Sequence, residues 1–516
     1  MKLVSVSEMK AIEQQADASG LSYAQMMENA GRGLAEMIYD LIGDESGKEI
    51  FGLVGSGNNG GDTLVALAHL ARAGWRTRAY CIKRKTDELA QRLLEAGGEI
   101  ISAEEDDEFI ALATFIESAD ILLDGLLGTG IKLPLKPEMA SVLSVARSSL
   151  NTLDNPPFIL AVDCPSGVDC DTGAAADECL AADLTVTMAA VKQGLLRLPA
   201  FDLVGELEVV DIGLPDNLPA WTKITRTVPD PGRVAAILPP RPADAHKGTF
   251  GAALIVAGSV SYTGAAYLSA KAAYRVGAGL VTLALPEPLY PALAGHLPEV
   301  TWIPLPHENG FIARAGALAV TQNLSRATAL LIGPGFGLEE TTKDFLAKLL
   351  ETPKVPPLVV DADGLKLLAQ IPGWQAKLPA PTVLTPHPGE MSVLTGLSKD
   401  EIQSDREAIA GKFAKQWGHV VVLKGAFTVV AAPDGRIAVL PFASAALARA
   451  GTGDVLAGLI VGLRAQGVGA YEAALAGAWI HARAGLAALE VAGSAASVLA
   501  GDLLDCVGDV MAELNG

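Results

Sequence analysis

The sequence predicts an α/β protein built as two three-layer domains, each a mostly parallel sheet wrapped by helices. Three observations carry that expectation. The chain has 516 residues, more than one hydrophobic core usually holds. Short apolar runs rich in Val, Ile and Leu alternate with segments of helical period along its length, the pattern of repeated βα units. These runs end in glycine-rich or polar stretches, and in open α/β sheets the carboxyl edge of the strands is where ligands bind.

Composition narrows the partners. Half of the residues are hydrophobic and 19% are charged, as in a well-buried globular protein. With 59 acidic against 39 basic residues the formal charge is -20, a field that repels phosphate backbones and anionic membranes. Neither nucleic acid nor membrane is expected as a partner. An anionic nucleotide would need local help from glycine loops, helix starts, lysines or a metal ion. Cys81, Cys164, Cys170, Cys179 and Cys506 form no CxxC pair and read as reduced thiols of a cytoplasmic protein. Met1 to Gln15 carries Lys2, Glu8, Lys10 and Glu13 without an apolar run, so no secretory or transit signal is expected there. No stretch of about twenty uncharged apolar residues predicts a membrane span.

In the first half, Ser7 to Lys10 opens one amphipathic helix and Tyr23 to Leu41 forms another, both expected to serve packing. Glu49 to Val54 predicts a buried strand running into Gly55-Ser56-Gly57-Asn58-Asn59-Gly60-Gly61-Asp62, with a helix from Thr63 to Ala73. Gly55, Gly57 and Gly60 satisfy the G-x-G-x-x-G spacing of a dinucleotide fold, but the next strand, Thr77 to Ile82, ends in Lys83-Arg84-Lys85 instead of the acidic residue that holds a ribose. A basic end suits a 2'-phosphate, whereas Asn58, Asn59 and Asp62 point to oxygen ligands lining the loop. Ile121 to Leu123 leads into the loop Asp124 to Gly130, and Ile159 to Val162 into Asp163 to Asp169. Asn59, Asp124 and Ser166 thus converge on one sheet edge as a hard-oxygen set suited to an alkali or alkaline-earth ion; each taken singly is equally a helix cap. Thr185 to Met188 is a further strand, ending near Lys192, whose partner on the rim is Asp163.

From Leu214 the periodicity fades and Pro215, Pro219, Pro229 and Pro231 accumulate. Domains are therefore expected at residues 1–220 and 230–516, with residues 221–229 as linker. In the second half the strand Ala252 to Ala257 precedes the loop Gly258 to Gly264 and a helix from Ala265. Leu330 to Ile332 leads to Gly333-Pro334-Gly335-Phe336-Gly337, Leu358 to Val360 to Asp361-Ala362-Asp363, Val383 to Thr385 to Pro386-His387-Pro388-Gly389-Glu390, and Val420 to Leu423 to Lys424-Gly425-Ala426-Phe427-Thr428. Ala470 to Leu489 is an alanine-rich helix.

The densest chemistry lies in Ala450 to Gly458, AGTGDVLAG. Gly451 and Gly453 permit a tight turn and Val455 begins an apolar helical pattern, so the Gly453 and Asp454 N–H groups point out of a helix start, which binds anions. Asp454 sets a carboxylate beside that hole, as phosphoryl transfer to an attacking hydroxyl requires. Four residues alone are equally a turn with a capping aspartate.

The motifs together carry a resemblance. GSGNNGGD at Gly55 to Asp62, DGLLGTG at Asp124 to Gly130, DCPSG at Asp163 to Gly167 and the stretch holding Lys192 resemble the YjeF N-terminal, or NAD(P)H-hydrate epimerase, family, a Rossmann-like fold. HKGTFG, GPGFG, LTPHPGE, VLKG and AGTGD resemble the ribokinase-like NAD(P)H-hydrate dehydratases. Ser56 and Thr63 depart from the usual first loop without removing a proposed ligand. The resemblance implies repair of nicotinamide cofactors hydrated at the ring: epimerisation of R and S hydrates in the first half, and dehydration of the S form with ADP, giving AMP and phosphate, in the second.

It also implies site residues. Potassium ligands fall on Asn59, Asp124 and Ser166. Hydrate contacts of the epimerase fall on Asn58, Asn59, Gly60, Gly61 and Asp62, on Gly128, Thr129, Gly130, Ile131, Lys132, Leu133 and Pro134, and on Asp163. Those of the dehydratase fall on Ala265, Gly335, His387 and Asp454. Nucleotide contacts, with magnesium accompanying ADP, fall on Lys424, Gly425, Ala426, Phe427, Thr428 and Gly453. Asp454 is the expected dehydratase base, and Asp163 and Lys192 are the expected proton-handling groups of the epimerase. A homo-oligomer is expected. Two rivals stay open at this stage: a vitamin or sugar kinase for the second half, and a binding module without catalysis for the first.

Overall fold

The computed structural model describes residues 1–43 and 47–515. Its contacts divide the chain into two compact units, Met1–Thr225 and Arg226–Gly516. The first contains β1 (Leu3–Val4), β2 (Glu49–Val54), β3 (Arg76–Cys81), β4 (Glu99–Ser102), β5 (Ile121–Gly125), β6 (Phe158–Val162), β7 (Leu184–Met188), β8 (Val191–Lys192) and β9 (Glu206–Val210). Seven of these form one sheet in the order β4-β3-β2-β5-β6-β7-β9, with every neighbouring pair parallel. Their continuous apolar runs follow from burial on both faces, against one cluster around Leu34, Leu64 and Leu67 and another around Phe51, Leu122 and Leu143.

The chain leaves β2 toward β3 and β4, then returns to place β5 on the other side of β2. This reversal opens a crevice at the carboxyl ends of β2 and β5. Two boundaries there differ from the sequence expectation. The helix expected from Thr63 begins at Asn58 and runs to Arg72, with Gly57 as its N-cap. The glycine run is helical because it packs tightly: a Cβ at Gly60 would lie 2.1 Å from the Gly55 carbonyl oxygen. Asp124, expected in a loop, is the fourth residue of β5, paired with Leu53 and Ala161.

The second unit contains β10 (Arg226–Thr227), β11 (Ala252–Val256), β12 (Leu280–Pro286), β13 (Thr301–Leu305), β14 (His307–Glu308), β15 (Phe311–Ile312), β16 (Ala329–Ile332), β17 (Leu358–Val360), β18 (Val383–Leu384), β19 (Val420–Leu423), β20 (Val429–Ala431) and β21 (Ile437–Val439). Ten of them form a sheet in the order β10-β21-β20-β19-β18-β17-β16-β11-β12-β13. β20 runs antiparallel to both neighbours. The other pairs are parallel. The order reverses between β11 and β16, which sets the loops after those strands side by side. The helices Thr452–Ala465 and Ala470–Ala492, rich in Ala and Leu, join one core with the sheet.

The irregular segment expected as a linker is anchored at both ends. Trp221 and Ile224 pack on the core of the first unit, and Arg226 and Thr227 pair with Ile437 and Ala438 in the second. Among the described residues, no helix is long and apolar enough to cross a membrane.

Candidate active sites

In the first unit the crevice is a cavity of about 500 Å3. Asn58, Asn59 and Asp62 reach it from the first turns of the Asn58–Arg72 helix; Gly128, Thr129, Gly130 and Ile131 line it from the loop after β5; Asp163 and Lys192 close its far side. Gly60 and Gly61 do not line it. They are packing positions, Gly60 against Gly55 and Gly61 against Met27. Lys132, Leu133 and Pro134 lie outside the lining as well.

Asn59, Asp124 and Ser166 come together around the Leu127 backbone. Asn59 Nδ2 donates to the Leu127 carbonyl at 2.9 Å, the Leu127 N–H donates to Ser166 Oγ at 2.8 Å, and the Ser166 N–H donates to Asp124 Oδ2 at 2.7 Å. That leaves Asn59 Oδ1 and Asp124 Oδ1 buried without a hydrogen-bond partner among the described residues. Buried polar atoms are almost always satisfied. Burial raises the Asp124 carboxyl above its ordinary range, and the Ser166 hydrogen bonds offset this only in part. One carboxylate, one amide oxygen and one hydroxyl, two of them unsatisfied, fit a hard monovalent cation.

Lys192 is 1% exposed, pinned where β8 pairs with β1. Its ammonium donates to Asp163 Oδ1, to Thr187 Oγ1 at 2.9 Å and to the Met188 carbonyl at 2.9 Å. All three donors are used, so Lys192 is a fixed countercharge. Asp163 Oδ1 also accepts from Thr187 Oγ1 and the Met188 N–H. Asp163 adopts a left-handed backbone, φ 64°, a strained state for a non-glycine residue of the kind that clusters at functional sites.

Two of the three basic residues after β3 are engaged within the fold. Arg84 turns back to donate to the Gly55 and Gly57 carbonyls at 3.0 and 3.2 Å and pairs with Asp87. Lys83 pairs with Glu138. The guanidinium clamps the glycine turn that the sequence left to glycine alone.

In the second unit the helix begins at Thr452, capped by Gly451 at φ 92°, one residue before the start expected at Gly453. Gly453 and Asp454 are therefore in its first turn, where N–H groups have no partner within the helix. A cavity of about 460 Å3 opens here, lined by Gly453, Lys424, Gly425, Ala426, Thr428 and His387 on its polar side. Leu440, Phe442, Leu447 and Leu456 form an apolar wall. A Cβ at Gly453 would lie 3.5 Å from Lys424 Nζ, so the lysine stands beside the helix start. Lys424 Nζ is 2.7 Å from Asp361 Oδ1 and 3.6 Å from Glu390 Oε2. Burial pulls the Lys424 ammonium down, but Asp361 and Glu390 outweigh it and hold the group above its ordinary value.

His387 caps the Pro388–Thr395 helix: its Nδ1 accepts from the Gly389 and Glu390 N–H groups at 2.9 and 3.3 Å. The ring proton is therefore on Nε2, 3.3 Å from Glu390 Oε1. Burial lowers this imidazole, consistent with a neutral ring. Asp454 is pushed up to about 7 by burial first and by Asp361 next, with Lys424 pulling the other way. Asp454, Phe427, Ala265 and Gly335 are not in the lining of this cavity. Ala265 and Gly335 instead meet at the reversal between β11 and β16, where a Cβ on Gly335 would come within 2.8 Å of Ala265 Cβ and of the Tyr262 carbonyl.

The family described as NAD(P)H-hydrate dehydratase matches residues 253–507, and the YjeF-related protein N-terminus matches residues 23–194. A bifunctional NAD(P)H-hydrate repair enzyme of Moorella thermoacetica is 36% identical over 100% of this chain and 97% of its own length. The chain belongs to the bifunctional NAD(P)H-hydrate repair enzyme family. The Escherichia coli K12 relative of that name is 34% identical over 91% of this chain and 86% of its own. The ADP/ATP-dependent NAD(P)H-hydrate dehydratase of Bacillus subtilis, co-crystallised with ATP/Mg2+, is 33% identical over 55% of this chain and 97% of its own, with TM-score 0.47.

Several residues that line or support the cavities escaped the sequence reading. Met9, Lys10 and Glu13 line the first cavity from the Val6–Ala18 helix, which was expected to serve packing alone. The signal available was Glu13 standing four residues after buried Met9, at the rim of the apolar stripe. In the second unit Asp361, Thr385 and Glu390 build the bed for Lys424: Thr385 Oγ1 donates to Asp361 Oδ1 at 2.6 Å. Ser444, Arg449 and His481 also line the cavity, and no local pattern marks them.

Proposed function

We propose that the two cavities carry out successive steps of one repair. The N-terminal unit interconverts R and S hydrates of NAD(P)H, and the C-terminal unit consumes the S form with ADP, releasing NAD(P)H, AMP and phosphate. The observation that carries the reading is Asp454: a half-buried carboxyl, pushed up to about 7, in the first turn of a helix whose start, with Lys424, faces a nucleotide-sized cavity.

In the second unit Asp454 takes the proton of the ring hydroxyl as that oxygen attacks the terminal phosphoryl group of ADP. The Gly453 helix start and Lys424 stabilise the charge that develops on the phosphoryl oxygens. Phosphate then leaves in place of hydroxide, the ring nitrogen drives the elimination, and the conjugated ring returns without redox chemistry. Magnesium bound with ADP supplies further charge neutralisation.

In the first unit Asn59, Asp124 and Ser166 would hold a potassium ion, which fixes the loops of the crevice. Asp163 is the proton acceptor, held in place by Lys192, Thr187 and the Met188 N–H. The five cysteines are buried and free, which supports a reducing, cytoplasmic setting. The unit is expected to work within a homo-oligomer.

The test is incubation of the full chain with a mixed R and S hydrate preparation, following recovery of dihydronicotinamide absorbance. Complete recovery with ADP and none without it is expected. Recovery of only the S fraction would sink the epimerase assignment. Phosphorylation of simple alcohols by ATP, with the hydrate untouched, would make the second unit a kinase instead.

A further inference from the structure

Three carboxyl groups, Glu13, Asp62 and Asp163, line the cavity of the first unit together with two ammonium groups, Lys10 and Lys192. Asp163 takes Lys192. Asp62 takes nothing: its residue is 8% exposed, and its side chain has no hydrogen-bond or ion-pair partner among the described residues. An isolated carboxylate at that depth is costly, which favours the protonated form. Burial, then Asp163 and Glu13, hold the Asp62 carboxyl well above the usual carboxylate range, against the opposing pull of Lys192 and Arg84. A carboxyl whose protonated form is favoured by burial is suited to donate a proton.

Its position matters as much as its protonation. Asp62 enters from the helix that follows β2, whereas Asp163 stands at the end of β6. β5 separates those strands, which stand about 10 Å apart at the sheet, so the two groups enter the cavity from different elements. Inverting the carbon that bears the hydroxyl requires proton transfer on both ring faces, and one fixed group cannot reach both.

We infer that Asp62 is a second catalytic residue of the epimerase, working on the ring face opposite the Asp163–Lys192 pair; this rests on the epimerase reading above. The Asp62 O–H gives its proton to the hydroxyl on its own face as the C–O bond breaks. The ring-nitrogen lone pair forms a C=N bond and water leaves. A water on the other face then adds to that carbon, Asp163 takes its proton, and the electron pair returns to nitrogen. Water is lost and regained, one proton moves from Asp62 to Asp163, and nothing is oxidised or reduced. The carboxylate left on Asp62 favours the transient cationic ring.

The test uses the full chain in water enriched in oxygen-18, with Asp62→Asn, which preserves shape. Wild type is expected to interconvert the hydrates and label both. Asp62→Asn is expected to lose net epimerisation by about 100-fold or more, after subtraction of the uncatalysed rate, while still exchanging label into one epimer within about threefold of wild type. Its ADP-dependent dehydration of the S hydrate should be unchanged, which controls for the second unit, while the retained exchange controls for folding of the first. Epimerisation of Asp62→Asn within threefold of wild type overturns the proposal. So does loss of exchange and inversion together, because a purely structural role removes both. A wild-type chain that fails to accelerate interconversion sinks the epimerase reading itself, and is told apart because it appears before any substitution is made.

Discussion

Lys424 Nζ lies 2.7 Å from Asp361 Oδ1, with the Asp361 side chain 1% exposed. The same ammonium stands 3.6 Å from Glu390, so one cation holds two buried carboxylates and still faces the cavity. Removing it strands both. Lys424→Met is expected to destabilise the second unit by about 3–5 kcal/mol in urea unfolding at neutral pH. Lys424→Arg, which keeps the charge, should recover most of the stability and less of the affinity for ADP. An unfolding midpoint of Lys424→Met equal to that of wild type would show that the pair bears no structural charge.

Asp454 is expected to impose opposite pH dependences on activity and stability. A base must be ionised, so kcat/KM for dehydration should fall on the acid side of about 7, the value set by burial and by Asp361. Stability runs the other way. The folded pKa lies above the unfolded value of about 3.9, so the folded state binds the proton more tightly. Its contribution is fully present below about pH 4 and is lost as pH rises through 7. Asp454→Asn should therefore abolish dehydration while raising the thermal midpoint of the second unit at pH 8, with the gap closing toward pH 4. A flat wild-type kcat/KM between pH 6 and pH 8 would remove Asp454 as the base.

These two residues mark what the sequence made legible. The apolar runs fixed the strands, because parallel strands buried on both faces leave a continuous signal, and the polar stretch after each run located the rim of each sheet. The first helix start was set too late, at Thr63, because its cap is Gly57 and its first turn carries polar residues that read as loop. Asp124 was set in a loop because a charge inside a strand is unexpected without a ligand. The Arg84 clamp, the Asp361–Lys424–Glu390 bed and the entry of Glu13 into the first cavity arise from tertiary approach, which no spacing along the chain encodes.

The glycine run separates into positions that tolerate a side chain and positions that do not. A Cβ at Gly60 would lie 2.1 Å from the Gly55 carbonyl oxygen and 2.8 Å from the Gly55 nitrogen, whereas nothing stands within 4 Å of one at Gly57. Backbone cannot retreat as a flexible side chain can. Gly60→Ala is expected to cost the first unit about 1–3 kcal/mol and most of its epimerase activity, with dehydration of the S hydrate intact. Gly57→Ala, at φ -89°, should be near neutral in stability. Equal unfolding midpoints for the two variants would contradict this packing of the glycine turn.

The unpartnered oxygens of Asn59 and Asp124 give the cation site a readout that does not depend on activity. Asp124 Oδ1 is buried without a hydrogen-bond partner among the described residues, and its residue is 1% exposed. A cation that binds only the folded state stabilises it in proportion to ln(1 + [L]/Kd), about 2.7 kcal/mol at a hundredfold excess over Kd. Replacing choline by potassium at constant ionic strength should therefore raise the unfolding midpoint of the first unit. Asp124→Asn removes the charge and keeps the shape. It should abolish the potassium response and, in choline, be more stable than wild type, because the wild-type carboxylate is then buried without a countercharge. The sign of that crossover is the decisive outcome: a wild-type midpoint indifferent to potassium, or an Asp124→Asn variant that still responds, would assign the buried oxygens to packing alone.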